Sequence, residues 1–224
     1  MPGTRDLATD CPDILAVRVG ALWHTPSMDP KETLHHYLRT QRSVLLAKLE
    51  GLSEYDVRRP LTPTGTNLLG IAKHVASIQL GYLGDCFGHP SGIPLPWFED
   101  DSPVPDGDMW ATADETRASV LDLYRRSAEH ADATIDVLDL DATGEVPWWS
   151  EDRRHPSLHT VLVHLLVDVA RHAGQADILR EGLDGAVGYL PESSNLPDRD
   201  ESGWLEHRAR LEAAAREAGG IAPD

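Results

Sequence analysis

Cysteine is scarce in this chain: Cys11 and Cys86 are the only two among 224 residues, and they have no CxxC spacing. Two such residues make no disulfide framework, so both are expected to be free thiols. Basic residues are also few, 20 Lys and Arg against 37 Asp and Glu, for a formal net charge of -17. Binding a phosphate backbone takes clustered Lys and Arg that displace counterions, so nucleic acid is excluded as a partner. No apolar run approaches the roughly 20 residues needed to cross a bilayer, which excludes a membrane span. The opening MPGTRDLATDCPDI has neither a basic start with an apolar h-region nor a transit-peptide composition, so a cytoplasmic location is expected. The GxGxxG, P-loop, GxSxG and HExxH fingerprints are missing, and with them the common cofactor motifs. Strand-like alternation persists nowhere, and no internal repeat is evident.

What is present is helical periodicity in a chain that is 41% hydrophobic, long enough for one domain with a sizeable core. Asp29-Pro30 reads as an N-cap followed by proline at the first helical position, and Leu34, Leu38, Leu45 and Leu49 continue at helical spacing. Ser53 can cap a short turn, and Asn67 or Thr66 a second long helix with Leu68, Ile71, Val75 and Ile78 on its apolar side. The periodic segments predict main helices over about 30 to 50, 67 to 87, 112 to 138 and 157 to 181, the last ended by Gly182 and Gly185. From His89 to Met109 the chain is rich in Pro and acids and too long for an ordinary loop, which suggests a functional cover. A second long connection holds Trp148 and Trp149, which either line a pocket mouth or pack the connection onto the helices. The chain divides into an N-terminal arm (1–28) with a short apolar patch from Ile14 to Trp23, a helical domain (29–185), and a C-terminal tail (186–224) with a short helix from Trp204. The architecture is therefore all-α, four main helices with long crossover connections and extensions at both ends.

The chemistry concentrates in TVLVHLLVDVARHAGQADILREGLD, where His164, Asp168 and His172 stand four residues apart. Four residues rise about 6 Å along a helix and return nearly to the same face, so the three side chains form a ladder in apolar surroundings. Ligand atoms around one divalent ion lie about 3 to 4 Å apart, given bonds near 2.0 to 2.2 Å. An i, i+4 pair can meet that requirement, whereas His164 and His172, about 12 Å apart along the axis, cannot share an ion. The ladder offers two chelates, His164 with Asp168 or Asp168 with His172. His74, near the apolar side of the second helix, becomes a ligand candidate only beside such a cluster.

The segments TPTGTNLLGIAKHVASIQLGYLGDCFG and HTVLVHLLVDVARHAGQADILREGLDG together resemble the paired signatures of the DinB-like metalloprotein superfamily, in its actinobacterial branch related to mycothiol-dependent enzymes. The likeness covers roughly Asp29 to Gly185. It implies a four-helix bundle in which a histidine of the second main helix joins an acid-x3-histidine pair on the fourth. Carried onto this chain, the metal ligands would be His74, Asp168 and His172, with His164 and Gln175 beside them. Relatives commonly carry Glu at the position of Asp168, one methylene longer, and many carry His at that of Gln175. A shorter carboxylate must draw the helix inward or reach through water.

The resemblance implies a divalent cofactor, zinc before nickel or another ion, with open positions for catalysis. A metal of that kind lowers the pKa of a bound thiol or water. The expected activity is a metal-dependent transfer of a low-molecular-weight thiol, such as mycothiol, to or from a small electrophile. One rival is a metal-dependent isomerase or hydrolase using the same ligands; another is a non-catalytic stress or interaction protein on the same scaffold. A homodimer is expected from the resemblance and from the prevalence of two-fold oligomers.

Overall fold

A computed structural model describes residues 29–99, 105–190 and 193–221. The N-terminal arm with its apolar patch lies outside the described residues. Among the described residues six α-helices follow one another: α1 (Pro30–Ala47), α2 (Glu54–Arg58), α3 (Leu68–Leu83), α4 (Arg117–Val137), α5 (Leu158–Asp184) and α6 (Glu201–Ala218). Among the described residues there is no strand, only two isolated bridges, Thr143 with Ser157 and Leu190 with Ser193. None of these helices is long and apolar enough to cross a membrane.

Each helix start has a local cause in the sequence. The side chains of Asp29, Ser53, Asn67, Thr116, Ser157 and Asp200 accept from backbone N–H groups of the first turn, satisfying donors that would otherwise be orphaned. Asp29-Pro30, Ser53 and Asn67 act as the sequence predicts. Thr116 does not: it caps α4 at Ser119 N, so that helix begins at Arg117 and not near 112, because residues just before it form a turn in which the Glu115 carboxylate takes the Thr112 N–H. The second main helix ends at Leu83, and a 3-10 turn carries the chain through Asp85–Phe87. Gly182 lies inside α5; Gly185 alone ends it, at φ 76°, the left-handed cap that a side chain resists.

Side-chain contacts give the directions of α1, α3, α4 and α5. Lys31 reaches Asp136 O at one end of the α1–α4 pair, and Arg117 reaches Leu52 O at the other, so those helices run antiparallel. Lys73 meets Glu115 and Gln79 meets Ser127, so α3 and α4 run parallel, which is why a long crossover must join them. His74 faces His172 while Tyr82 faces His164, so α3 and α5 run antiparallel. The core is one cluster of aliphatic side chains from these helices, with Leu38, Leu45, Leu69, Val75, Leu83, Ile135, Leu162 and Leu165 essentially without solvent exposure. The buried Arg42 guanidinium joins α1 to α4 through Asp132 at 2.5 Å, where His35 and Arg39 also bind, each at 2.8 Å.

Candidate metal centre

α5 packs with its ladder facing α3. The buried side of α3 presents Ile71 and Val75 to the core and turns His74 toward α5; on α5, Leu165, Val169 and Ala173 take the core side and leave Asp168 and His172 at its margin. The side chains of His74, Asp168 and His172 are 19%, 31% and 12% exposed, a half-buried position suited to a site that a small molecule can enter. One atom from each lies within 4.8 Å of those from the other two. Asp168 Oδ2 is 3.8 Å from His74 Nε2 and 3.8 Å from His172 Nε2. Those separations are too long for hydrogen bonds and match the spacing of atoms that share one ion.

The far side of each imidazole is already engaged. His74 Nδ1–H donates to Asp108 Oδ2 at 2.7 Å, and His172 Nδ1–H donates to Gln175 Oε1 at 2.9 Å. With those protons spent, each Nε2 carries its lone pair toward Asp168. Asp168 Oδ2 is buried and accepts no hydrogen bond from the protein, which for a carboxylate oxygen costs free energy unless a cation meets it. Burial first, and then the neighbouring His74, hold the His172 imidazole below its ordinary pKa against the pull of Asp168, favouring the neutral form that can ligate. The two-histidine, one-carboxylate set thus fits a divalent ion.

Asp108 is the residue that spacing along the chain does not reveal. It arrives from the crossover between α3 and α4, and the hydrogen bond from His74 holds its carboxyl below the usual carboxylate range. The end of that crossover is pinned onto α3. Asn67 Nδ2 donates to Met109 O, and Lys73, 2% exposed, donates to Trp110 O at 3.0 Å, pairs with Glu115 at 2.6 Å and lies 3.9 Å from the centre of the Trp97 ring. Gly70 packs against the Met109 carbonyl so closely that any Cβ there would collide with it. A lysine beside His74 in a mostly apolar stretch is a sequence signal of this clasp.

The other candidates lie around this centre. His164 is one turn away from Asp168 and contacts the Tyr82 and Trp149 rings at 5.0 and 5.2 Å, so it stands outside the cluster of potential ligands. Trp148 and Trp149 both donate their indole N–H to Tyr82 Oη at 3.1 Å, so they belong to the same neighbourhood as His164. His35 serves the α1–α4 seam and His130 bonds His89 O, which leaves neither near the centre. A separate cavity of about 810 Å³ opens between α6 and the end of α5, bordered by Lys48, Asp177, Tyr189, Trp204 and Leu211; it includes none of the three clustered residues.

The sequence pattern of a family described as mycothiol-S-transferase matches residues 33–185. No curated protein matches the chain. The match contains His74, Asp108, Asp168 and His172 and stops at the cap of α5.

Proposed function

Because this chain belongs to the mycothiol-S-transferase family, we propose that it is a metal-dependent transferase that joins a low-molecular-weight thiol, mycothiol, to a small electrophile. The observation that carries the reading is the orphaned Asp168 Oδ2 placed 3.8 Å from two histidine nitrogens whose other ring atoms are held by Asp108 and Gln175. His74, Asp168 and His172 would hold the ion, with zinc the first choice for two imidazoles and one carboxylate. A divalent ion bound there lowers the pKa of a coordinated thiol and so supplies a nucleophile near neutral pH.

The protein's own residues orient and shelter. Asp108 and Gln175 fix the ring orientations of His74 and His172, and the crossover carrying Asp108, Trp97 and Trp110 covers one flank of α3. In the transfer, the thiolate sulfur forms a bond to an electrophilic carbon, the leaving group departs with the old bonding pair, and the thiol proton passes to solvent. We also propose that the working unit is a homodimer.

The test uses full-length protein purified without an affinity tag and loaded with zinc, assayed with monobromobimane as electrophile and mycothiol as thiol. Conjugation is expected to require both thiol and metal and to be lost when a chelator strips the ion. Turnover of substrates at an undiminished rate without thiol would replace the transferase reading by a hydrolase or isomerase.

A further inference from the structure

Trp148 is 58% exposed, an unusual place for the largest side chain, yet it is not loose. Its indole N–H donates to Tyr82 Oη at 3.1 Å, its ring meets the Tyr82 ring edge-on at 5.2 Å, and its Cη2 atom would lie 3.7 Å from a Cβ at Gly81. Trp149 is held in the same way through Tyr82 Oη, and His164 fits between Tyr82 and Trp149. His164 is on the ladder one turn, about 6 Å along the axis, from Asp168. An aromatic wall therefore adjoins the three clustered residues, with a pre-positioned indole facing solvent.

We propose that this wall, Tyr82, Trp148, Trp149 and His164, is the subsite that receives the flat, uncharged, conjugated part of the electrophile. The proposal rests on the transferase reading for its substrate and deepens it. Two alternatives in ring chemistry fail on the contacts present. A sugar or polyol is recognised by stacking together with hydrogen bonds to its hydroxyls, but both indole N–H groups are consumed by Tyr82 Oη, whose oxygen thereby accepts twice. The exposed ring of the wall, Trp148, has a face to offer and no free donor. A cationic group would face the Arg153 guanidinium, which already lies 5.1 Å from the centre of the Trp149 ring. A planar apolar group meets neither obstacle and gains offset stacking on the exposed indole.

The experiment separates the subsite from the catalysis. Binding of a non-electrophilic methyl analogue of monobromobimane is followed by calorimetry without thiol, on zinc-loaded and on chelator-treated protein. Trp148→Ala is expected to weaken it about tenfold, and Trp148→Phe, which keeps a flat ring, to restore most of it. In turnover, Trp148→Ala is expected to raise KM for monobromobimane while KM for mycothiol and the rate with iodoacetamide, which has no ring, stay unchanged. An exposed side chain leaves the core intact, and circular dichroism checks this. Absence of binding to the wild type, equal binding by Trp148→Ala, or a rise in KM for the thiol instead, would overturn the subsite. Trp148-dependent binding in a protein with no thiol transfer keeps the subsite and removes the transferase reading.

Discussion

A carboxylate oxygen buried without a hydrogen bond, between two imidazoles whose outer nitrogens are occupied, makes the consequences of single substitutions at this centre unequal. His172→Ala removes one of three potential donors and is expected to abolish zinc retention, read by metal analysis after gel filtration, with the helical spectrum preserved. His164→Ala touches only the aromatic wall and is expected to leave zinc content unchanged. Zinc lost from His164→Ala and kept by His172→Ala would mean that the ladder uses its other chelate. Asp108→Asn tests orientation apart from ligation. An amide accepts more weakly than a carboxylate and can turn its N–H₂ toward His74, so zinc affinity is expected to fall about 10- to 100-fold, measured by chelator competition. An affinity equal to wild type would remove Asp108 from the centre.

Between elements, the seam of α1 and α4 rests on Asp132. Burial alone would raise its pKa, but the Arg42 charge and the hydrogen bonds from His35, Arg42 and Arg39 outweigh it and hold the carboxyl below its ordinary value. A carboxylate depressed in the folded state stabilises above its unfolded pKa, about 3.9, and that contribution is lost as pH falls through the folded value. Acid unfolding below about pH 4 is therefore expected to be blunted in Asp132→Asn relative to wild type. Asp132→Ala leaves the Arg42 guanidinium, 4% exposed, buried without its carboxylate and is expected to cost about 3 to 5 kcal/mol in denaturant unfolding at pH 7. A loss below about 1 kcal/mol, the range of a surface pair, would show that Arg42 finds other compensation.

For the whole molecule, the proposed homodimer has a candidate face on α5. Val163, Val167 and Ile178 on α5 are 40%, 63% and 70% exposed and recur on the face turned away from the core, while the ladder residues point toward α3. Aliphatic side chains repeated along one helix suit a second copy of the same helix across a two-fold axis. Light scattering is expected to give twice the 24.6 kDa chain mass, and Val167→Glu to halve it without loss of helix content. A mass of one chain across a wide concentration range would end the dimer proposal.

Local signals were legible in the sequence because they act over a few residues. Asp29-Pro30, Ser53 and Asn67 announce helix starts through their own hydrogen bonds, and the spacing of Asp168 and His172 puts two side chains on one face whatever else the chain does. The same locality explains the misplaced start of α4, since periodicity continued back to 112 while a single cap at Thr116 decided the matter. The choice between His164 and His172 was open from spacing alone, and family resemblance favoured His172. In the fold, antiparallel packing of α3 on α5 sets His74 opposite His172 and gives Tyr82 to His164. Asp108 and the aromatic wall were beyond any reading of spacing. One reaches His74 across 34 positions because Asn67, Gly70 and Lys73 clasp the crossover, and the other gathers side chains from α3, a connection and α5. Sequence determined which faces each helix carries; only tertiary packing decided which faces meet, because that depends on pairings between residues far apart in the chain.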